Sequence, residues 1–392
     1  MKKELLSIAL CVVMLFTVIT GCGTEKRESV HEIKEPEVAE TDEESTLEGT
    51  HIFMFKSVGN SFGNLMYEGF AEYLTAKGEK VAYRSPEETT VTAQVEIMEE
   101  LIAQHVASIT ISTNGGTGYE EVLEKAKSAG IPIISVDSEI NPEYRICHII
   151  QADTKDVGAY LVQAAVLITL GIDYPEEGTD MKTIVKEALA VYTGEEIVLG
   201  VLSAWDDTPA QNRWIECMEE ELLDSCYEGK VSNQLDKKYG NDDLVESMLQ
   251  ANMFVEENKV DCIIVPTTVG MQAVGQVLTI SDSEIKLTGL GLPSEMQAFM
   301  PGNVTDDAFS FVCPYMMLWD VVHLGAAAGA VTYAVEHEGF TGEAGSSFVM
   351  DAFRDYEKTS YTAIPSSEGT TIVAGVPYVF YKGNMSEWVD RL

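Results

Sequence analysis

The sequence has 392 residues, of which 45% are hydrophobic, so it can bury the cores of two domains. Its 25 Lys and Arg residues stand against 64 Asp and Glu residues, and the formal net charge of −39 repels nucleic-acid phosphates and anionic lipid surfaces. These values exclude a chain that is disordered throughout, and they argue against nucleic acid as a partner. Such acidity is also a common solubility trait of secreted proteins.

The N-terminal segment is typical of a bacterial lipoprotein signal peptide. Lys2 and Lys3 precede an apolar run from Leu5 to Ile19, and the run ends in Thr20-Gly21-Cys22. Small residues before a cysteine admit the signal peptidase, and the cysteine thiol receives the lipid. We therefore expect residues 1–21 to be removed and Cys22 to anchor the protein to the outer face of the cell membrane. The alternative is a retained membrane anchor, but the run falls short of the roughly 20 apolar residues that span a bilayer.

Residues 22–50 are predicted to form an acidic, disordered tether. The segment is dense in Glu and Asp and has almost no aromatic residues, so it cannot bury enough surface to order itself.

From residue 51 onward, apolar runs alternate with amphipathic stretches, which is typical of βαβ units and predicts an α/β fold with parallel sheets. A first lobe about four strands wide is expected, and a second set of strands follows it. The predicted strands of the first lobe are 51–55, 81–84, 108–112 and 132–136, with helices at 65–77, 91–104 and 119–129. The second set has predicted strands at 147–151, 197–202, 262–266 and 287–290, with helices at 156–171, 211–226, 243–257 and 270–278. Residues 172–196 are predicted to be a surface insertion with a possible helix, because a short connection would suffice there.

The cysteine pattern predicts no metal knuckle, and we expect neither a metal nor a cofactor. Cys262 and Cys313 lie in apolar runs and are predicted to be buried thiols. The sequence leaves open whether Cys217 and Cys226 form a disulfide.

Polar residues recur directly after predicted strands of both sets. Ligands of open parallel sheets bind beyond the carboxyl ends of the strands, so these residues are candidates for one site. A polyhydroxylated ligand needs a cation, a carboxylate, amides and an aromatic face. Lys56, Asp137, Gln211, Asn212 and Phe62 supply these groups. Ordinary structural roles remain as alternatives, because Asp137 and Gln211 stand where a helix could begin and Lys56 could be solvated.

Motifs for catalysis are weak. The glycine-rich segment from Asn114 to Gly118 lacks the Gly-Lys-Ser/Thr ending of a phosphate loop and is predicted to be a plain βα turn. The metalloprotease motif His-Glu-x-x-His does not occur, and the six histidines are scattered along the sequence. Asp206 and Asp207 are adjacent in an extended loop, so their carboxylates diverge and do not form a glycosidase pair. We therefore expect a binding protein and not an enzyme.

A set of short motifs is spread between Ile52 and Ser347. They are Phe55-Lys56-Ser57-Val58-Gly59, Ser85-Pro86-Glu87 with Val91-Thr92-Ala93-Gln94-Val95, Val136-Asp137-Ser138 followed by Pro142-Glu143-Tyr144-Arg145, Gln211-Asn212-Arg213-Trp214, Ile263-Ile264-Val265-Pro266, and Leu318-Trp319-Asp320-Val321-Val322. Together they resemble the periplasmic binding proteins of the ribose-binding type, in the branch that holds rhamnose-binding and autoinducer-2-binding proteins.

This resemblance implies two Rossmann-like lobes joined by three hinge crossovers, the type I arrangement. The crossovers are expected near residues 141–147, 311–318 and 343–350, and the helix from Trp319 to Glu336 is expected to return to the first lobe. The first lobe would then comprise residues 51–141 and 317–345, and the second lobe residues 142–316 and 346–392.

The resemblance also implies ligand contacts. In autoinducer-2 binders the ligand is held by a Lys matching Lys56, an Asp matching Asp137, an Asp-Gln pair and a Pro-x-Ala segment. Here the pair is Ala210-Gln211 and the segment runs from Pro266 to Thr268. Losing a charge-assisted hydrogen bond costs roughly 1.5–3 kcal/mol, so this departure weakens the case for the furanosyl signal.

A pentose, a hexose or a deoxyhexose such as rhamnose is at least as well supported, with Asn212, Trp319 and Asp320 as further partners in the pocket. The predicted function is that of a monomeric, lipid-anchored substrate-binding protein that delivers a small sugar or furanosyl ligand to the permease subunits of an ABC importer. The alternative is a receptor that docks on a sensor kinase or chemoreceptor.

Overall fold

The computed structural model describes residues 46–175, 180–366 and 369–392. The predicted signal peptide, Cys22 and most of the predicted tether lie outside the described residues. Residues 46–50 already pack on the body, because the amide of Gly49 donates to the carbonyl of His105 and Thr50 is buried. None of the helices described here is long and apolar enough to cross a membrane.

Strands and helices alternate along most of the chain. In chain order the strands are β1 (His51–Met54), β2 (Val81–Arg84), β3 (Ser108–Ile111), β4 (Ile133–Val136), β5 (His148–Ile150), β6 (Leu199–Ser203), β7 (Asp236–Tyr239), β8 (Cys262–Val265), β9 (Lys286–Gly289), β10 (Tyr315–Leu318), β11 (Ser347–Met350), β12 (Thr359–Thr362), β13 (Ile364–Ser366), β14 (Gly369–Val373) and β15 (Tyr378–Tyr381). The α-helices are α1 (Ser61–Ala76), α2 (Val91–Ala103), α3 (Glu120–Ser128), α4 (Thr154–Thr169), α5 (Met181–Val191), α6 (Pro209–Leu222), α7 (Leu244–Glu257), α8 (Thr268–Ser281), α9 (Pro293–Met296), α10 (Val321–Tyr333) and α11 (Met385–Trp388). A π-helical turn, Ala334–Glu338, continues α10.

The first sheet has the strand order β13-β14-β5-β4-β3-β1-β2 within the described residues. All its neighbouring strands are parallel except β13 and β14. Helix α10 contacts α1 and the strands β3, β4 and β5, so it belongs to the same lobe. Strands β1, β3 and β4 are buried along their whole length, which fits a sheet that is covered on both faces.

The first sheet is wider than expected, and one strand assignment is wrong. We predicted that residues 147–151 open the second lobe, but β5 pairs with β4 and β14 in the first sheet. Parallel neighbours are usually joined by a crossover helix, whereas residues 137–147 form a short connection without one, and this misled the prediction. Residues 364–366 and 369–373, also predicted in the second lobe, complete the edge of the first sheet.

The second sheet is parallel, with the order β7-β6-β8-β9. The antiparallel pair β10 and β15 extends it through a parallel bridge between Leu290 and Met317. Strand β7 was not predicted, because its sequence Asp236-Lys237-Lys238-Tyr239 contains no apolar run. It is an edge strand, where charged residues are usual because they discourage pairing with other chains.

In the described part of the chain, the backbone passes between the two sheets at three places. Residues 151–153 lead from β5 to α4, residues 319–320 from β10 to α10, and residues 374–377 from β14 to β15. All three predicted crossovers lie too early in the sequence. Each was placed before or within a strand or hairpin that still belongs to the lobe that the chain is leaving.

The segment predicted as an insertion contributes to the second lobe. Its helix α5 packs against α4 and buries Met181, Val185 and Leu189, so this part of the segment adds to the main hydrophobic core. Residues 176–179 lie outside the described residues.

Cysteine pairing is resolved by the structure. Cys217 and Cys226 are free thiols and do not form a disulfide. Cys262 and Cys313 are fully buried, as predicted, and burial raises the pKa of both thiols. Their thiol groups therefore stay protonated at neutral pH.

Helices α1 and α10 cross with their backbones in contact. A Cβ atom on Gly69 would lie 1.8 Å from the carbonyl oxygen of Val322, and one on Gly325 would lie 1.8 Å from that of Met66. Helix α10 is buried on all sides, which requires such close neighbours. Helix α1 is thereby fixed in place, with its N-terminus at the carboxyl edge of the first sheet.

Gly325→Ala should lower the free energy of unfolding by about 1–3 kcal/mol, because the added methyl group has no space in this crossing. Alanine favours a helix over glycine by about 1 kcal/mol, so a loss of stability would report the packing and not the helix propensity. Urea unfolding measures the change. Gly302→Ala is the control, since a Cβ there meets nothing within 4 Å. Equal stabilities for the two variants would contradict the close crossing.

Candidate ligand-binding site

A cleft with about 410 Å³ of empty space, part of which is open to solvent, lies between the two lobes, beyond the carboxyl ends of the strands of both sheets. The first lobe contributes Phe55, Lys56, Asn60, Phe62 and Asp137, the second lobe contributes Ala210, Gln211, Trp214, Asp242, Pro266, Thr267, Thr268, Leu290 and Leu318, and Trp319 comes from a crossover.

A buried ion pair forms the polar part of the cavity in the first lobe. The Lys56 ammonium lies 3.0 Å from Asp137 Oδ2, and the two side chains are 10% and 6% exposed. Asp137 also accepts hydrogen bonds from the Ser112 hydroxyl at 2.9 Å and from the Gln151 amide at 2.6 Å. Its backbone is left-handed, with φ of 63°, a conformation that Asp tolerates and that is often found at functional sites. The carboxylate is therefore held in one orientation.

Gln94 fixes the loops around this ion pair. It is fully buried on α2, and its amide nitrogen donates to the carbonyls of Phe55 and Ser112, which follow β1 and β3. Its amide oxygen accepts from the backbone amide of Asn114 and from the hydroxyl of Tyr119. A single side chain thus ties together the ends of two neighbouring strands.

The second lobe presents an amide and a carboxylate. Gln211, in the first turn of α6, accepts from the Ser203 hydroxyl at 2.7 Å and from the Ala204 backbone amide at 2.8 Å. Because the Gln211 oxygen already accepts these two hydrogen bonds, the amide nitrogen is the group that remains for a ligand in the cavity. Asp242 follows β7 and accepts from the Thr267 hydroxyl at 2.5 Å, which leaves its second oxygen for a ligand.

Aromatic rings form an apolar wall. Phe62 packs edge-on against Trp319 with ring centroids 6.1 Å apart, and Trp319 lies 5.8 Å from Trp214. The Trp319 indole N–H is buried and finds no acceptor among the described residues. Flat aromatic faces suit the C–H surface of a sugar ring, and a buried N–H favours a ligand hydroxyl.

The structure brings most of the predicted site residues together. Those that line the cavity are Lys56, Phe62, Asp137, Gln211, Pro266, Thr268 and Trp319. Asn212 and Asp320 do not line it. The Asn212 side chain donates to the carbonyl of Asp206, and Asp320 caps α10 by accepting from the amide of His323. Both residues stand next to a lining residue in sequence, but their side chains are engaged by their own loops.

Sequence reasoning missed Asp242 and Asn60. Asp242 was missed because the strand before it was not recognised. Asn60 accepts from the amide of Gly63 as the N-cap of α1, and that helix begins four residues before its predicted start at Leu65. The Asn-Ser-Phe-Gly sequence at residues 60–63 is a capping signal that could have placed this boundary.

The lobes also touch outside the cavity. A Cβ on Gly115 would lie 3.3 Å from Asp207 Oδ2, and one on Gly116 would lie 3.6 Å from the ring of Pro209. The glycine-rich segment is therefore an inter-lobe contact, where the missing side chains permit close approach. Glu295 of α9 in the second lobe also interacts with Ser61 of α1 in the first lobe, and burial raises the pKa of Glu295. The arrangement is a closed one.

Comparison with known proteins agrees with this architecture. The family model described as a periplasmic binding protein domain matches residues 51–338. An ABC transporter solute-binding protein from Clostridium phytofermentas, solved with bound L-rhamnose, is 29% identical, with a TM-score of 0.75 over 88% of this chain and 99% of that chain. LsrB from Clostridium saccharobutylicum, solved with AI-2, is 19% identical, with a TM-score of 0.71 over 86% of this chain and 99% of that chain.

A sugar ABC transporter protein from Actinomyces odontolyticus is 24% identical, with a TM-score of 0.61 over 88% of this chain and 98% of that chain. The predicted α/β fold of type I and the family resemblance are both confirmed. Members of this family act outside the cytoplasm and bind ligands without catalysis, so the expectation of a non-enzyme is also confirmed. On its sequence match and its two-lobed architecture, the chain belongs to the periplasmic binding protein family.

Proposed function

We propose that this protein is the substrate-binding component of an ABC importer and that it binds a small sugar between its lobes, with a deoxyhexose such as L-rhamnose as the first candidate. The observation that carries the proposal is the cleft between the lobes, in which the Lys56–Asp137 pair lies opposite Gln211 and Asp242 beside an aromatic wall. The similar protein with bound L-rhamnose supports this choice of ligand class.

Each group has a defined task toward a polyhydroxylated ligand. The Lys56 ammonium and the Gln211 amide donate hydrogen bonds to hydroxyl oxygens, and Asp137 and Asp242 accept from hydroxyl protons. Phe62, Trp214 and Trp319 cover the C–H face of the ring and, in a deoxyhexose, the methyl group. Ala210 is too small and apolar to supply the carboxylate of the Asp-Gln pair, which favours a sugar over the furanosyl signal.

Binding is coupled to closure because the crossovers reach the site. Gln151 lies on the first crossover and donates to Asp137, while Trp319 lies on the second crossover and lines the cavity. A ligand that contacts both lobes stabilises only the closed form, so it shifts the population toward that form. The closed protein then presents a surface for the permease subunits, as a monomer that Cys22 anchors to the membrane through its lipid.

The wild-type chain without residues 1–22 should show a rise in melting temperature with L-rhamnose in a thermal-shift screen of monosaccharides and the furanosyl signal. A ligand at a hundred times its dissociation constant adds about 2.7 kcal/mol to stability. Asp137→Asn and Gln211→Ala should each abolish the shift, because each removes a hydrogen-bonding group from one lobe. Asn212→Ala should keep it, since that side chain lies outside the cavity.

Circular dichroism of the ligand-free variants checks that Asp137→Asn still folds, because it leaves the Lys56 charge buried. If folded Asp137→Asn and Gln211→Ala both show the wild-type rise in melting temperature with the ligand, the ligand does not bind in this cavity. Small-angle scattering that shows no compaction with the ligand would contradict closure.

Asp242→Asn should weaken sugar binding by about tenfold to a hundredfold, because a hydrogen bond to a charged group contributes roughly 1.5–3 kcal/mol. Isothermal titration calorimetry gives the affinity. Asp243→Asn is the matched control: it removes the same charge from the next residue, whose carboxylate caps α7 and does not line the cavity. If both variants bind like the wild type, Asp242 has no role in recognition.

Replacing Cys22 by Ala should abolish lipid attachment and release the protein from the membrane fraction. Metabolic labelling with palmitate, followed by membrane fractionation, measures both effects. Cys11→Ala is the control, since Cys11 lies inside the predicted signal peptide. Labelled, membrane-bound Cys22→Ala protein would show that the anchor lies elsewhere.

A further inference from the structure

A second cluster of ligand-type side chains lies at the opposite edge of the first sheet, where the strands begin. His51 is the first residue of β1, Glu79 precedes β2, and Glu336 and His337 belong to the π-helical turn after α10. His51 and His337, which are far apart in sequence, both contact Glu79. Single π-helical turns are frequent at functional sites.

The geometry of three of these side chains suits a metal ion. His51 Nε2 lies 2.9 Å from Glu336 Oε2 and 3.5 Å from Glu79 Oε2, and the three ligand atoms lie within 4.8 Å of one another. Ligands that hold Zn²⁺ tetrahedrally at about 2.0–2.1 Å are about 3.3–3.4 Å apart, and the two measured separations bracket this value.

The surroundings of His51 suit a metal ligand. Its side chain is 1% exposed, and its Nε2 atom forms no hydrogen bond of suitable geometry with any described residue. Its Nδ1 atom lies 2.8 Å from the Ser108 hydroxyl. When Nδ1–H donates to that hydroxyl, the Nε2 lone pair faces two carboxylates. A cation bound between these three acceptors would remove the repulsion between the Nε2 lone pair and the carboxylate oxygens.

We propose that His51, Glu79 and Glu336 bind a divalent transition-metal ion, with Zn²⁺ as the best match and a water molecule completing the tetrahedron. Imidazole nitrogen with two carboxylates favours Zn²⁺ over Mg²⁺ and Ca²⁺, which prefer sets made of oxygen alone. His337 Nε2 lies 2.9 Å from Glu79 Oε1 and positions that carboxylate from outside.

Such an ion would join the start of β1, the turn before β2 and the end of α10. These segments carry the two helices that cross at Gly69 and Gly325, so the metal would clamp the first lobe at the end away from the sugar. The proposal does not depend on the identity of the sugar.

Zinc binding can be measured on the untagged chain without residues 1–22 by calorimetry and by thermal shift. We expect one Zn²⁺ per chain, a raised melting temperature with Zn²⁺, and little effect of equal Mg²⁺ or Ca²⁺. Glu79→Gln and Glu336→Gln should each weaken Zn²⁺ binding by at least about tenfold. Glu338→Gln is the matched control, because it removes the same charge from an exposed residue of the same turn.

Two outcomes would overturn the proposal. The first is the absence of saturable Zn²⁺ binding, and the second is that the Glu79→Gln and Glu336→Gln variants bind Zn²⁺ as tightly as the Glu338→Gln control. The second outcome would place the ion elsewhere on this acidic surface. Both glutamates are partly exposed, and circular dichroism confirms that each variant is folded before titration.

Discussion

The buried pairing of Lys56 with Asp137 is the constraint around which the cleft is organised. Two charges that are 10% and 6% exposed are costly to bury unless they are paired and hydrogen-bonded. Ser112 and Gln151 donate hydrogen bonds to Asp137, and they come from the end of β3 and from the first crossover. The charge pair therefore joins three neighbouring strands to a hinge, and its geometry is fixed before any ligand arrives.

The two lobes contribute different kinds of polar groups to the cleft. The first lobe carries a polar centre in which Asp137 is held by hydrogen bonds, and Gln94 fixes the loops on either side of it. In the second lobe, the Gln211 amide and the Asp242 carboxylate still have hydrogen-bonding capacity for a ligand in the cleft. A preorganised half and a complementary half are what a closing receptor needs, since little reorganisation is then required of either one.

Sequence patterns predicted the local elements well and their sheet membership less well. The helices from residue 91 and residue 244 and most strands of both lobes occur within two or three residues of their predicted bounds, because buried strands and amphipathic helices have strong periodic signals. Strand β7 was missed because it is charged, and β5 was placed in the wrong lobe because pairing between distant segments leaves no local trace.

The same reasons explain which site residues could be predicted from the sequence. Lys56, Asp137 and Gln211 were found because they directly follow recognisable strands, whereas Asp242 was lost together with its strand. Asn212 and Asp320 were proposed because they neighbour true lining residues, but adjacent side chains in the chain point in different directions.

The position of β14 has a consequence for how the molecule matures. This strand pairs with β5, from which more than two hundred residues separate it, so the edge of the first sheet stays open until almost the entire chain is present. An N-terminal fragment cannot finish either lobe, because the chain visits both sheets again near its end. Without these last segments, β5 and β10 would each keep an unpaired edge, and such edges are prone to pair with other chains.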